Sequence, residues 1–263
     1  MKLKKRKLSS HKGQNGIVTV IGGSREYTGA VYLAAQSIAS LRLGMDLVYV
    51  CCPEKVAYSI NKLSPDLITV KLKGDYLSIK HFKIIKEYID KSDVILIGNG
   101  ISEQNKTKRL INKIIKKYRY KRKVIDADAL KIIKIQEIDN AILTPHSKEF
   151  EILLKNSKLK KNYREYLKNN VILLKGKEDY VISKDKIKII KGGNPGMSVG
   201  GTGDVLAGIC AGFAFLTDLF NAAVLAPSLN KKIGDKLKKK FGYGFIASDF
   251  LREIAIEGRR YIK

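Results

Sequence analysis

Seven short runs rich in Val, Ile and Leu, at residues 17–21, 46–51, 67–72, 93–97, 123–126, 141–144 and 171–174, alternate with longer stretches of helical periodicity. That rhythm constrains the fold more than any other feature. A strand followed by a helix normally returns to a parallel neighbour, and the helices then cover the sheet. Most of the runs are continuously apolar rather than alternating, as strands buried on both faces are. Helices are expected at 29–43, 77–90, 103–118 and 147–155. The rhythm breaks at 181–183 and 187–191, two β runs joined by Lys184-Asp185-Lys186, which predict a hairpin. A strongly apolar, small-residue helix is expected at 202–216, followed by helices at 220–239 and 248–258. No repeat, Pro-rich linker or low-complexity tract divides the chain, which predicts one α/β domain over residues 1–263.

Composition then excludes several classes. No apolar run approaches the roughly 20 residues that span a bilayer, and the basic start MKLKKRKLSS lacks the apolar stretch and cleavage site of a secretory signal. A soluble, cytoplasmic protein without a membrane partner is expected. Cys51, Cys52 and Cys210 have neither the number nor the spacing of a disulfide framework or zinc site, which suits a reducing compartment. The formal charge of +26 raises the question of a polyanion partner. The lysines, however, are spread among isoleucines and asparagines rather than gathered beside stacking aromatics. A compositional or thermal-adaptation bias is therefore the favoured reading, and a nucleic-acid partner the less favoured one. Either way the field attracts small anions.

One segment carries chemistry. Gly192-Gly193-Asn194-Pro195-Gly196-Met197-Ser198-Val199-Gly200-Gly201-Thr202-Gly203-Asp204 places six glycines directly before the apolar helix. Glycine lets the backbone close on an anion and turn successive N–H groups towards it, while the helix adds free amides and the positive end of its dipole. A phosphate fits such a nest at Gly200, Gly201, Thr202 and Gly203. No Gly-Lys-Ser/Thr follows the glycines and no lysine enters the nest, so a Walker-type loop is not expected. Asp204 would repel a phosphate unless it acts as a base or polarises a hydroxyl. The alternative is that it caps the helix.

The stretch from Asn194-Pro195-Gly196 through Gly200-Gly201-Thr202-Gly203-Asp204 to Val205-Leu206-Ala207-Gly208 resembles the signature of the NAD(P)H-hydrate dehydratases, a repair branch of the ribokinase-like superfamily. Further matches follow in chain order: Ser10-His11-Lys12-Gly13, Val20-Ile21-Gly22-Gly23-Ser24, Tyr27-Thr28-Gly29-Ala30, Ile125-Asp126-Ala127-Asp128-Ala129-Leu130, Leu143-Thr144-Pro145-His146 with Glu149, Leu174-Lys175-Gly176, and Ala247-Ser248-Asp249. The resemblance implies a three-layer α/β/α fold with a central, mostly parallel sheet. It also implies a hydro-lyase that consumes ADP or ATP, leaving AMP or ADP and phosphate, to return the S-epimer of NADHX or NADPHX to NADH or NADPH. The hydroxyl is phosphorylated and the phosphate then leaves, being a better leaving group than hydroxide. Asp204 would take the hydroxyl proton, and Gly200, Gly201, Thr202 and Gly203 would hold the transferring phosphoryl group. Ala30, Gly100, His146 and Asp204 match positions that line the hydrated nicotinamide cofactor. Lys175, Gly176, Lys177, Glu178 and Asp179, with Gly203, match positions around the AMP portion of the nucleotide. Mg2+ is the implied metal, keeping several waters, with Glu149 as an outer-shell carboxylate. A homotetramer is the implied assembly.

Some positions keep two readings. His146 could contact substrate or cap the following helix, Asp126 and Asp128 could contact cofactor or be solvated strand-end carboxylates, and Lys12 could neutralise a substrate phosphate or lie in solvent. Two segments depart from the family pattern. Gly98-Asn99-Gly100-Ile101-Ser102 stands where Gly-Pro-Gly-Leu-Gly is usual, and Leu229-Asn230-Lys231-Lys232-Ile233-Gly234-Asp235 lacks a usual histidine and alanine. A fused epimerase domain, as many members carry, is not expected, and use of the R-form would then need a separate epimerase or spontaneous epimerisation. The alternatives are a ribokinase-like kinase of a small alcohol or vitamin precursor, which would release a stable phosphorylated product, and a basic nucleic-acid-binding protein.

Overall fold

A computed structural model describes residues 3–40 and 45–261. Its strands are β1 Ile17–Ile21, β2 Leu47–Pro53, β3 Ile68–Leu72, β4 Val94–Ile97, β5 Lys123–Ile125, β6 Ala141–Leu143, β7 Val171–Leu174, β8 Asp179–Ile182 and β9 Ile187–Ile190. They form one sheet in the order β3-β2-β1-β4-β5-β6-β7-β8-β9. β1 to β7 run parallel, and the β8–β9 hairpin adds two antiparallel strands at one edge. The α-helices are α1 Thr28–Ser40, α2 Glu54–Leu63, α3 Phe82–Lys91, α4 Asn105–Lys117, α5 Ser147–Ser157, α6 Thr202–Leu216, α7 Leu219–Phe241 and α8 Asp249–Gly258.

The two faces of the sheet explain the continuous apolar runs. Val18, Val20, Val50, Leu96 and Leu173 point into a core shared with α1, α2, α6, α7 and α8. Their neighbours Ile21, Cys51, Ile95, Ile97 and Ile172 point into a second core against α3, α4 and α5. Successive side chains on a strand face opposite sides, so a sheet covered on both faces needs apolar residues at both. α6 is buried almost all round, which accounts for its small-residue composition. The expected three-layer α/β/α architecture is present.

Strand positions agree with the sequence to within two residues, but the helices differ in two ways. α2 was not expected. It starts immediately after Pro53, which ends β2 and serves as its N-cap, so no turn residues announce it. The segment expected as one helix at 77–90 is divided into a short 3-10 turn, Ile79–His81, and α3. Ser78 and His81 form a capping box there, with His81 Nδ1 accepting from the Ser78 amide at 3.1 Å. The helix expected to reach residue 43 is α1, described to Ser40; residues 41–43 of that expectation lie outside the described residues. Pro227 sits inside α7 without ending it.

The order of the strands locates a crevice. After β3 the chain crosses to the other side of β1, so β1 and β4 are adjacent at a switch point, where ligands bind beyond the carboxyl ends of α/β strands. Gly22, Asn99, Asp126, His146 and Lys175 all follow directly on, or within three residues of, such strand ends.

Candidate active site

Asp204 lies in the first turn of α6. The helix starts from Gly201, whose φ is +94°, a backbone conformation that side chains strain. A Cβ there would also fall 2.5 Å from Leu33 Cδ1 and 2.9 Å from Ala247 Cβ. Glycine is thus required, and the first-turn amides, which have no acceptor within the helix, face outward. The Thr202 hydroxyl donates to the carbonyls of Met197 at 2.7 Å and Val199 at 3.0 Å, so it braces the turn. What Thr202 can offer an anion is its backbone.

Asp204 does not cap the helix. Its Oδ1 accepts from Asn99 Nδ2 at 2.7 Å, and the same nitrogen donates to Asp126 Oδ2 at 3.0 Å. Burial, reinforced by the negative charge of Asp126, pushes the Asp204 carboxyl up to about 6, although Asn99 and Lys175 pull the other way. A carboxylate so tuned is suited to accept a proton near neutral pH.

Asp126 is not a solvated strand-end carboxylate. It is buried, and besides Asn99 it accepts from Thr144 Oγ1 at 2.7 Å and from Lys175 Nζ at 2.9 Å. Asp128 accepts from the Ser102 amide at 3.2 Å and from Lys131 at 2.9 Å. Lys175 overturns one expectation, that no lysine enters the nest: its ammonium lies 3.6 Å from where a Cβ on Gly203 would be. Burial acts to lower the pKa of Lys175, but Asp126 and Glu149 outweigh it and hold the group above the usual lysine value. A fixed cation therefore stands over the amino end of α6, supplied by β7 rather than by the glycine segment.

A cavity of about 590 Å³ opens beside this cluster, lined by Lys175, Gly176, Lys177, Glu178 and Asp179 on one side and by Gly203 and the 192–198 loop on another. Asp179 shapes it, accepting the Gly176 amide at 2.9 Å with one oxygen and pairing Lys231 at 3.2 Å with the other. Lys231 also donates to the carbonyls of Lys177 at 3.0 Å and Gly192 at 3.3 Å, joining the two walls. Asn230 is buried, lines the same cavity, and its Oδ1 has no hydrogen-bond partner among the described residues. Neither Lys231 nor Asn230 is marked as functional by the sequence. A larger cleft of about 770 Å³, bordered by α1, β2 and α8, holds none of these residues.

The remaining positions divide. Gly100, with φ +70°, packs so closely on Tyr27 and Ala30 that a Cβ would lie 2.7 Å from Tyr27 Cβ and 3.2 Å from Ala30 Cβ. Gly100 and Ala30 are therefore neighbours. The turn after β4 has positive φ at Gly98, Gly100 and Ser102, the three positions where the family pattern has glycine. His146 does cap α5: its Nδ1 accepts the Glu149 amide at 3.4 Å while Glu149 Oε2 accepts the His146 amide at 2.9 Å. Its side chain is about half exposed, which leaves it open to a ligand as well. Lys12 is exposed and precedes the amino end of β1, the opposite end of the strand from this site.

A glycine-rich helix start, a lysine ammonium beside it, a buried carboxylate and a roomy cavity thus come together at the strand carboxyl ends of a ribokinase-like fold. Solved ribokinase-like proteins share the architecture. The ADP/ATP-dependent NAD(P)H-hydrate dehydratase of Bacillus subtilis, co-crystallised with ATP and Mg2+, superposes with a TM-score of 0.77 over 99% of this chain and 95% of that one. At 20% identity that likeness is one of fold. The chain belongs to the NAD(P)H-hydrate dehydratase family, whose model matches residues 18–256. It is 34% identical to the ADP-dependent (S)-NAD(P)H-hydrate dehydratase of Nitrosopumilus maritimus over 95% of this chain and 91% of that protein. It is 38% identical to the bifunctional NAD(P)H-hydrate repair enzyme of Methanocaldococcus jannaschii over 96% of this chain and 50% of that protein. The chain thus spans about half the length of the bifunctional relatives it matches.

Proposed function

We propose that this protein dehydrates the S-epimer of NADHX or NADPHX to NADH or NADPH, consuming ADP or ATP. The observation that carries the reading is Asp204, pushed up to about 6 by burial and Asp126, beside the α6 anion nest and Lys175. Asp204 takes the proton of the substrate hydroxyl as its oxygen attacks the terminal phosphorus, and AMP or ADP leaves. The carbon–oxygen bond then breaks, phosphate departs with the bonding pair, and loss of a proton from the adjacent carbon restores the ring double bond. The amides of Gly200 to Gly203 and the Lys175 ammonium stabilise the charge on the transferring group. Lys175, Gly176, Lys177, Glu178 and Asp179 hold the nucleotide, and Ala30, Gly100 and His146 the nicotinamide portion.

Mg2+ would neutralise phosphate charge when bound. Among the described residues no group of three or more His, Cys, Asp or Glu is placed to hold a metal. Glu149 Oε2 is already occupied by the His146 amide and lies 3.9 Å from Lys175. A contact from Glu149 through a metal-bound water is what remains open to it. The reading extends to a cytoplasmic homotetramer, which the exposed Phe241, Tyr243, Ile246 and Ile256 near the C-terminus favour and light scattering would check.

The experiment is regeneration of reduced-nicotinamide absorbance from S-NADHX with Mg2+ and ADP, ATP or no nucleotide. Nucleotide-dependent recovery supports the dehydratase. Recovery with neither nucleotide would reject it, and a stable phosphorylated product would point to an ordinary kinase.

A further inference from the structure

Asn99 is fully buried in the turn after β4, and the surrounding backbone leaves it little freedom. The Gly23 amide donates to its carbonyl at 2.9 Å. Gly98 before it has φ +128° and packs so tightly on the end of β5 that a Cβ would lie 1.8 Å from the Asp126 carbonyl oxygen. The side chain that this turn delivers lies between two carboxylates.

Resting on the reading of Asp204 as the base, we propose that Asn99 is its positioning residue. Its amide nitrogen, shared between Asp204 and Asp126, ties down Oδ1 of Asp204 and leaves Oδ2 to take the substrate proton. No hydrogen bond among the described residues reaches that second oxygen. The orientation of the amide follows from its neighbours: turned over, its oxygen would face two carboxylate oxygens at 2.7 and 3.0 Å. Kept as it is, Asn99 Oδ1 is buried with no partner among the described residues. An apolar side chain would avoid that unsatisfied oxygen but would leave the two carboxylates with no donor between them.

The charged groups facing Asp204 are Asp126 after β5, Glu149 on α5 and Lys175 after β7. Asp126 and Glu149 favour the protonated form, whereas Lys175 and the Asn99 amide favour the ionised one. Loss of the amide therefore both frees the carboxylate to turn and raises its proton affinity.

Asn99→Leu and Asn99→Ala, neither of which adds charge, test this in the full chain, the smaller second side chain guarding against overpacking by the first. The expected result is a fall in kcat of about 10- to 100-fold with nucleotide KM changed by less than about twofold. The acid limb of kcat/KM, which Asp204 should set near pH 6 in the parent protein, should move to higher pH. Carbon NMR titration of the Asp204 carboxyl, assigned by its loss in Asp204→Asn, reads the same movement without turnover. A shifted titration in a protein that never regenerates NADH would uphold Asn99 and reject the dehydratase. An unmoved limb and an unmoved titration in both variants would overturn the role of Asn99.

Discussion

The two ends of β5 hold buried charge in opposite ways. At its amino end Lys123 is fully buried, and burial drives its ammonium down to about 7, with Asp139 pulling weakly the other way. Just beyond its carboxyl end, Asp126 helps push Asp204 up to about 6. Both groups are brought close to neutrality by the same cause, removal from water. Their surroundings separate them. Lys123 donates to the carbonyls of Arg119 at 2.7 Å and Asp139 at 2.6 Å and lines none of the cavities described above. Asp204 has one oxygen held, one open, and the glycine-rich start of α6 beside it. A displaced pKa alone therefore does not mark a functional group; an accessible atom and a place for a reactant must accompany it.

The sharpest way to break that contrast is Asp204→Asn. Turnover should fall by roughly 10²- to 10⁴-fold, the scale of a lost general base, while nucleotide binding measured by calorimetry persists. Stability should move in the opposite direction. The folded carboxyl keeps its proton up to about pH 6, against an ordinary 3.8, so between those values the folded state binds more protons and stability falls as pH rises. Removing the group should flatten that fall and leave the variant more stable above pH 6 in denaturant titrations. Near-normal turnover would mean that Asp204 is a structural charge like Lys123.

Lys123 provides the converse test. Its folded value of about 7 lies below the ordinary 10.5, so between them the unfolded chain binds the extra proton and stability rises with pH. Its contribution is complete above about pH 10.5 and is lost as pH falls to about 7. Lys123→Met should remove much of that alkaline rise, on the order of a few kcal/mol, and leave kcat at neutral pH within about twofold. A large loss of kcat would show that the two ends of β5 are coupled.

The same contrast separates what could be read in the chain from what could not. β1, β7 and α6 fall where the sequence places them, because uninterrupted apolar residues or glycine boundaries are local signals. The glycine segment and the place of Asp204 in the first turn of α6 are legible for the same reason. Asn99 meets Asp204 across 105 residues of sequence, and Lys175 arrives from another strand, so no local pattern shows either contact. Lys123 gave no warning either: a lysine opening a short strand reads as a solvated end until the residues around it close over it. Asn230 and Lys231 lie inside a segment that departs from the family pattern, and only the fold brings them to the cavity wall.

His146 carries the smallest expected effect and distinguishes two roles in one residue. Its ring accepts the Glu149 amide at the start of α5, so His146→Ala should cost about 1 kcal/mol, the usual value of a lost helix cap, read as a shift in the denaturation midpoint. His146→Asn restores an accepting cap but shortens the side chain. If His146 serves only the helix, asparagine should recover both stability and kinetics. If the half-exposed ring also contacts the hydrated nicotinamide, asparagine should recover stability while KM for the hydrate stays raised. That second outcome would place His146 with Asp204, as a group whose local bonds leave an atom free for the reactant, rather than with Lys123, whose bonds leave none.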